Sequence, residues 1–389
     1  MAMALNPLFI PNPISFSTTK TIITNNTFPS SKNSIFHCKT NDSKKEVVLP
    51  RVASIPYQPI NVDYLQEEFS GHGVTFQGIG DGCVAKMRLE NGSTAILMLP
   101  SGLITSYKAA MWHGGTDEML HSFVTEEIGG AVVHGGVSLA LEFSCGDGVS
   151  WSPSNWVLQT IKGNSQDSIQ VELISTDSGE KVEIKYIVTL KEDELSSDLV
   201  ISNSRSTPVQ LTGCVLSHLR VSSPEATYAI GLERSNFFSL PPFMSNFGIV
   251  PPDFGQENES GFSQLLNKMS FWRSRNGNNA DETKSDGNES KEEMEGEETD
   301  NYKNLREEMS RIYTIAPRNM TLIDRGRRNS VIVGRKGFDE LYMLSPGSSH
   351  EIYGKYSYIS VGQSAMLKPL NVRTEEVLRV GQDLYNPNL

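Results

Sequence analysis

The sequence predicts an all-β fold, a large sandwich of stacked antiparallel sheets, and three observations support this prediction. Short runs of β-branched and aromatic residues alternate with Gly, Asn and Asp turns along most of the chain. The runs follow one another without helical segments between them, which indicates antiparallel sheets and not a βαβ fold. About 340 residues follow the N-terminal leader, a length that suits one large sandwich domain.

The N-terminal residues 1–45 have the composition of a transit peptide. They are rich in Ser, Thr and Asn, the first acidic residue is Asp42, and the first arginine is Arg51. A leader that is poor in arginine and interrupted by prolines favours chloroplast import over mitochondrial import. We therefore expect a chloroplast protein whose leader is removed between Phe36 and Arg51.

Hairpin patterns follow the leader. GIGDGC at 78–83 has no helix after it, so we predict a tight hairpin turn and not a phosphate-binding loop. CVAKMRLE and STAILMLP flank an Asn-Gly turn, and SIQVELIS, KVEIKYIVTL and LSSDLVISN form a second series. Further strands run from VQLTGCVLSHLRV to EEVLRVG. In the second series, alternation places apolar side chains on one face of a strand, namely Val182, Ile184, Tyr186 and Val188.

The predicted domain spans residues 46–381, a tail follows at 382–389, and an insertion at 256–303 interrupts the domain. Residues 276–300 hold ten acidic residues and two lysines, which account for most of the net charge of -12. Such a composition cannot bury enough apolar surface to fold, so we expect a disordered surface loop. Before it, apolar residues recur at the spacing of an amphipathic helix, in a stripe made of Phe262, Leu265, Leu266, Met269 and Trp272. This helix either packs on its own sandwich or docks on a partner.

Several kinds of site are not expected. No run reaches the ~18 to 20 apolar residues of a membrane span, so any membrane association is peripheral. Cys83, Cys145 and Cys214 are widely separated, which indicates reduced structural thiols. The spacing of residues predicts no metal, no cofactor and no nucleic-acid partner. The basic segment at 325–336 fits a solvated hairpin turn, and binding of a phosphate or an acidic partner there stays open.

Five segments occur in the same order as in one known family. GLITSYK, HGGVSLALEF and CVLSHLRVSSPEATYAIGLERSNFF come first, and MTLIDRGRRNSVIVGRKGFDELYMLSPG and YSYISVGQSA complete the series. Together they resemble the galactose-mutarotase-like superfamily, and within it the hexose-6-phosphate epimerases. The resemblance covers residues 72–381 outside the insertion. It implies a galactose-mutarotase-like supersandwich with a sugar cleft that holds a histidine acid and a glutamate base.

The resemblance assigns the family's catalytic positions to residues that cannot transfer a proton. When the segments are aligned on Arg220 and Val221, the acid falls on Leu216. In YSYISVGQ the base falls on Gly362. An acid or a base each contributes ~10²- to 10⁴-fold to such a reaction. We therefore predict no catalytic residue and no enzymatic activity.

Three polar residues are candidates for a vestigial sugar cleft. His134 stands where the family has a sugar-binding arginine or, in another register, a site histidine. His218 lies two positions after Leu216 and so shares its face of the strand. Gln363 is the neutral neighbour of Gly362. The Pro- and Phe-rich loop at 237–255 corresponds to part of the family's cleft rim, and it either plugs the cleft or offers aromatic anchors to a partner.

The leader and the scaffold without its acid and base resemble one group within this family. With GGVSLA, SWSPSNW and YISVGQSAMLKP, they resemble the mutarotase-like subunits of subcomplex B of the chloroplast NADH dehydrogenase-like complex. This implies a peripheral protein on the stromal side of the thylakoid membrane, bound to other subunits of that complex. It would support plastoquinone reduction and cyclic electron flow around photosystem I. Two alternatives stay open, a plastid hexose-6-phosphate epimerase that uses His134 or His218, and a sugar-binding regulator without chemistry.

Overall fold

The structure is a computed structural model that describes residues 60–80, 82–127, 130–145, 150–177, 179, 181–242, 248–250, 295–348 and 357–389. One α-helix, α1 (Val62–Glu68), is described, and Asn61 caps it by accepting a hydrogen bond from the Tyr64 amide at 3.1 Å. A single 3₁₀ turn lies at Pro224–Ala226. No helix among the described residues is long and apolar enough to cross a membrane.

The strands, in chain order, are β1 Val74–Ile79, β2 Gly82–Arg88, β3 Thr94–Leu99, β4 Ile104–Ala110, β5 Thr116–Glu118, β6 Ser122–Glu127, β7 Gly130–Gly135, β8 Val137–Cys145, β9 Ser150–Trp151, β10 Val157–Gly163, β11 Ser168–Thr176, β12 Val182–Lys191, β13 Glu194–Asn203, β14 Val209–Arg220, β15 Thr227–Ile230, β16 Asn236–Ser239, β17 Glu295–Glu297, β18 Tyr302–Asn304, β19 Met309–Tyr313, β20 Asn319–Asp324, β21 Asn329–Lys336, β22 Glu340–Ser345, β23 Tyr358–Val372 and β24 Val377–Tyr385.

These strands form two large sheets and one hairpin. The first sheet has the order β1-β2-β3-β4-β8-β14-β23-β22-β19-β16-β17, with β5 on β4 and β9 on β8. The second has the order β10-β11-β12-β13-β24-β21-β20-β15-β18, and β6 pairs with β7 separately. All of the strand pairs are antiparallel, so the predicted all-β architecture of large antiparallel sheets is confirmed.

The main core lies between the two large sheets, and the alternation in the sequence sets which side chains enter it. In β12, Val182, Ile184, Tyr186 and Val188 are all buried, as predicted. In β14, Val215 and Leu219 join the same core from the first sheet. The hairpin predicted at GIGDGC is also present, because β1 pairs with β2 through Ile79 and Gly82, and Gly80 there has a φ of 57°.

A second apolar cluster covers the other face of the first sheet. Leu216 of β14 belongs to it, and so do Tyr342 of β22 and Tyr358 of β23. Ile249 closes the cluster from outside the sheet, and Phe123 of β6 packs against its edge. The strands β14, β22 and β23 are therefore buried on both faces, whereas antiparallel sheets commonly expose one face to solvent.

Two boundaries of the fold differ from the sequence prediction. Strand β24 continues to Tyr385, so the segment after 381 belongs to the second sheet and not to a tail. Residues 295–300 were assigned to the acidic loop, but β17 pairs with β16 there and Glu298 is buried. Arg311 donates to Glu298 at 2.9 Å, and Lys303 lies 3.8 Å away, so paired cations compensate the buried carboxylate.

Candidate functional site

The two positions of the family's catalytic pair lie directly opposite each other. Leu216 of β14 and Gly362 of β23 are partners in the antiparallel register, and Tyr342 of β22 is the partner of Gly362 on its other side. Side chains of opposed residues point to the same face of a sheet. The two positions that the resemblance assigns to the catalytic pair thus lie at one place in the fold, which carries an isobutyl group, a phenol and a glycine.

Gly362 has no room for any side chain. A Cβ atom at this position would lie 3.1 Å from Leu216 Cα and closer still to the carbonyl oxygen of Val215. Both neighbours are backbone atoms of β14, which cannot move without breaking the ladder between β14 and β23. A glutamate at position 362 would therefore have no space for its side chain.

His218 is buried on the same face as Leu216, two positions along β14, as the sequence predicted. Its Nδ1 lies 3.3 Å from the Gly136 carbonyl oxygen, which accepts a hydrogen bond, and its Nε2 accepts one from the Ile249 amide at 3.3 Å. These partners define a neutral ring with the proton on Nδ1. Burial lowers the pKa of His218 to about 4, and His121 and His134 contribute in the same direction.

Ile249 occupies the space above this histidine. Its amide donates to His218, and its carbonyl oxygen accepts a hydrogen bond from the Tyr358 hydroxyl at 2.5 Å. Its side chain is 4% exposed and packs in the cluster that contains Leu216. Ile249 belongs to the Pro- and Phe-rich loop, and its packing on Leu216 fits the first of the two roles that the sequence allowed for that loop, which was to plug the cleft. We call this cluster of Leu216, His218, Ile249, Tyr342 and Tyr358 the blocked cleft.

His134 lies beside the blocked cleft on the β6–β7 hairpin. Its Nε2 is 2.9 Å from the Thr125 hydroxyl and 3.5 Å from a Glu127 carboxylate oxygen, and its ring stacks on Phe123. The ring is half-buried and held by these neighbours. This arrangement is typical of a histidine that stabilises a hairpin.

Gln363 does not belong to the cleft, which corrects the sequence prediction. Successive residues of a strand point to opposite faces, so Gln363 faces the main core when Gly362 faces the cleft. Its Nε2 donates to the Gly334 carbonyl of the second sheet at 3.0 Å, and its Oε1 is buried without a hydrogen-bond partner. The residue joins the two sheets and cannot reach a ligand in the cleft.

An open, polar cavity of about 620 Å³ adjoins the blocked cleft. His121 links the two, because it lines the cavity and its ring stacks on Tyr358 at 5.5 Å. Arg220, at the end of β14, is exposed and also lines the cavity. The remaining lining residues are mostly hydroxyl-bearing or charged: Thr105, Ser106, Glu118, Leu120, Ser122, Val221, Ser222, Arg327 and Ser357. We call this space the open cavity.

The charged groups of the open cavity are largely held by the protein itself. Glu118 accepts hydrogen bonds from the Ser106 hydroxyl at 2.5 Å and from the Tyr107 amide at 2.9 Å. Arg327 donates to the backbone carbonyls of Arg220 and Glu118, each at 2.7 Å, and forms an ion pair with Asp117. The turn that carries Arg327 is thus tied to β5, whereas the sequence predicted a solvated turn.

Two further expectations concern other parts of the chain. The stripe of Phe262, Leu265, Leu266, Met269 and Trp272 lies outside the described residues, so the prediction for it stays untested. Among the described residues no cluster of His, Cys, Asp or Glu could hold a metal ion. The sequence analysis placed the loop that contains Ile249 at the cleft rim but did not single out Ile249 itself, and it did not identify Tyr358. The alternation around Gly362 could have identified Tyr358.

Comparisons with known proteins give one relative and a set of similar folds. No family model matches the chain. A protein of Arabidopsis thaliana named NDH-dependent cyclic electron flow 5 is 42% identical over 382 residues, which cover 94% of this chain and 98% of that protein. The structure of YeaD from Salmonella typhimurium, described as a candidate mutarotase, has a TM-score of 0.54 at 13% identity and covers 80% of this chain and 92% of YeaD. The structure of HI1317 has a TM-score of 0.52 at 11% identity and covers 80% of this chain and 95% of HI1317. The predicted galactose-mutarotase-like fold is confirmed.

Proposed function

This chain belongs to the family of Arabidopsis NDH-dependent cyclic electron flow 5, and we propose that it serves cyclic electron flow as a non-catalytic subunit. The proposed place of action is subcomplex B of the chloroplast NADH dehydrogenase-like complex. There the protein acts as a structural or assembly component that supports plastoquinone reduction around photosystem I. Its proposed partners are the other subunits of that complex.

The blocked cleft is the observation that carries the non-catalytic role. Mutarotation needs an acid and a base on opposite sides of a bound sugar ring, each within hydrogen-bond reach of its atom. Here Leu216 and Gly362 stand at the two positions, and Ile249 fills the space between them and the solvent. Binding of a sugar at this place would first require removal of the chain's own segment.

The composition of residues 1–45 supports import into the chloroplast, with the remainder of the chain on the stromal side of the thylakoid membrane. The described residues include no helix that could cross the membrane, so the proposed association is peripheral. The stripe at 262–272 is the proposed segment for contact with a partner subunit, because its spacing suits a helix that docks in a groove.

The experiment is complementation of a plant that lacks this protein. The unaltered chain should comigrate with the NADH dehydrogenase-like complex on native gels and should restore the post-illumination rise in chlorophyll fluorescence. His218→Ala should restore the same rise if no chemistry takes place in the cleft, provided that the variant accumulates normally. If the unaltered chain restores electron flow and His218→Ala does not, at equal protein levels, the non-catalytic role is contradicted.

The open cavity favours a second candidate, a sugar-binding regulator. Its volume of about 620 Å³ lies within the usual range of small-molecule sites, and its lining offers hydroxyls and an exposed guanidinium. Titration of the purified protein with glucose and with glucose 6-phosphate tests this candidate directly. An anomer-exchange assay in the same solutions separates binding from the epimerase alternative, for which we expect no rate above the solvent reaction.

A further inference from the structure

The blocked cleft contacts Ile249 through the main chain of that residue. The Ile249 amide donates to His218 Nε2 at 3.3 Å, and the Ile249 carbonyl oxygen accepts from the Tyr358 hydroxyl at 2.5 Å. Buried main-chain groups need hydrogen-bond partners, which a neighbouring strand supplies in most sheets. Here two side chains of the first sheet supply them. These contacts recognise the main-chain N–H and C=O that every residue except proline carries.

Both partners are held in place by the protein around them. The Gly136 carbonyl oxygen lies 3.3 Å from His218 Nδ1, which places the proton on Nδ1 and leaves Nε2 as an acceptor. The Tyr358 ring stacks on His121, with 5.5 Å between the ring centroids, and its centroid lies 5.6 Å from that of His218. One acceptor and one donor are therefore fixed in position, which lowers the entropic cost of binding a peptide there.

A pocket for a branched aliphatic side chain lies beside these two groups. Ile249 is 4% exposed, and a Cβ atom at Gly135 would lie 3.0 Å from Ile249 Cδ1, so the glycine leaves the room that the isoleucine fills. The other buried side chains of this cluster include Leu216, Ile312, Leu344 and Met366. A charged side chain among them would be buried without a partner, which is strongly unfavourable.

The contacts suit a short peptide better than a sugar. Gly248 and Val250 are half-buried on either side of Ile249, and Val250 packs against the cluster. A peptide offers one N–H, one C=O and an apolar side chain, which match the acceptor, the donor and the pocket. A sugar ring carries a hydroxyl on most of its carbons, and the apolar pocket would leave several of them without hydrogen bonds.

We propose that the blocked cleft is a peptide-binding site for a segment with one central branched aliphatic residue, and that Ile249 is its resident ligand. A segment of another protein with the same chemistry competes with Ile249 for this site. A ligand in the same chain acts at a high effective concentration, so the competitor binds strongly only when Ile249 is displaced. This inference goes beyond the proposed function, because peptide binding requires no other subunit of the complex.

Calorimetric titration tests the proposal with a peptide that has the sequence of residues 247–251, Phe-Gly-Ile-Val-Pro, and blocked ends. The protein is the full chain with Ile249→Asp, because a carboxylate is disfavoured in the apolar cluster and residue 249 then leaves the site. We expect the variant to bind the peptide at least about tenfold more tightly than the unaltered chain does. The nitrogen NMR signal of His218 Nε2 should return toward its position in the unaltered chain as the peptide is added.

Matched controls separate recognition from nonspecific binding. Ile315→Asp introduces the same charge at a residue that is 65% exposed between β19 and β20, and this variant should bind the peptide no better than the unaltered chain does. N-methylation of the isoleucine nitrogen removes the donor to His218 and should weaken binding about tenfold. Aspartate in place of the isoleucine in the peptide should abolish binding.

Near-ultraviolet circular dichroism establishes whether Ile249→Asp is folded, and Ile249→Ala takes its place if it is not, with a smaller gain of several-fold. A folded variant that does not bind the peptide overturns the proposal. Equal binding of the N-methylated or the aspartate peptide also overturns it, and so does an equal gain in Ile315→Asp. Tighter binding of glucose than of the peptide at the vacated site would identify a sugar site instead. These titrations involve no other subunit, so none of these results decides the proposed function.

Discussion

The blocked cleft and the open cavity share strand β14, yet they have opposite character. Around Leu216 the surface has become core, with a glycine, apolar side chains and a neutral histidine sealed by Ile249. A few residues further, at Arg220, the surface stays polar and accessible. The difference shows that one strand can be sealed into a core along its middle and still border an accessible polar cavity at its end.

The variant with the largest expected effect is Gly362→Glu, which introduces a glutamate at the position that the resemblance assigns to the family's base. We expect a loss of more than about 4 kcal/mol in the free energy of unfolding, because the new Cβ would collide with the backbone of β14. Denaturant titration measures this loss. Gly78→Glu is the matched control, since its Cβ would meet only Val62 Cγ2 at 3.6 Å, and we expect a change within about 0.5 kcal/mol. A stable Gly362→Glu protein would mean that the cleft is not closed at this position.

The next test is Ile249→Ala, which opens the blocked cleft from the solvent side. Truncation of a buried isoleucine costs about 2–5 kcal/mol in a closed core, and we expect the lower end here because solvent lies close by. Ile315→Ala, at a 65% exposed residue, is the control and should change stability by less than about 0.5 kcal/mol. Nuclear magnetic resonance should also show the pKa of His218 rising toward its ordinary value, because water reaches the ring. An unchanged pKa of His218 would show that Ile249 is not the residue that keeps water from the ring.

The pH dependence of stability gives a third, smaller effect. The pKa of His218 is about 4 in the folded protein and about 6.5 in the unfolded chain, so the unfolded chain binds more protons between these values. Stability should therefore fall as the pH decreases from about 6.5 toward 4, by roughly 2–3 kcal/mol over the window. Denaturant titrations at pH 7 and pH 5 measure it, with His218→Gln as the control. If the His218→Gln variant loses stability between pH 7 and pH 5 as much as the unaltered protein does, the acid sensitivity belongs to other groups.

The smallest expected effect belongs to the open cavity. Arg220→Ala removes an exposed guanidinium and should leave stability within about 0.5 kcal/mol of the unaltered protein. If the cavity binds glucose 6-phosphate, the same change should weaken that binding about tenfold or more, since arginine pairs strongly with phosphate. Calorimetric titration checks both statements on one sample. A large loss of stability would show that Arg220 is part of the core, which would end the contrast between the two regions.

The fold could be predicted from the sequence because its signals are local. The alternation of Val182, Ile184, Tyr186 and Val188 specifies which face of β12 is buried, and the Asn-Gly turn joins β2 to β3 as expected. Leu216 and Gly362 could also be predicted to lie in strands, and the two residues pair directly in the first sheet.

The rest of the site depends on contacts that no local pattern encodes. Ile249 reaches the cleft from a loop, and its two hydrogen bonds join it to residues 31 and 109 positions away in the chain. Gln363 was misplaced for a different reason. It was grouped with Gly362 as a sequence neighbour, although neighbours in a strand face opposite ways. Period-two alternation, applied to β23 as it was to β12, would have placed Gln363 in the main core.

The missing Cβ at Gly362 also limits which mutational paths remain accessible to this chain. A return to mutarotase chemistry needs an acid at 216, a base at 362 and removal of Ile249, and these residues share one packed cluster and one ladder. Changes at residues in contact are not additive, so the benefit of each step exists only when the others are already made. The Gly362→Glu substitution is the step whose side chain collides with the backbone of β14. Every variant that carries this substitution alone should therefore be unstable. Under the proposed non-catalytic role, selection for sugar turnover acting on single substitutions would therefore find no continuous route to mutarotase chemistry, because the packing around Gly362 opposes each step.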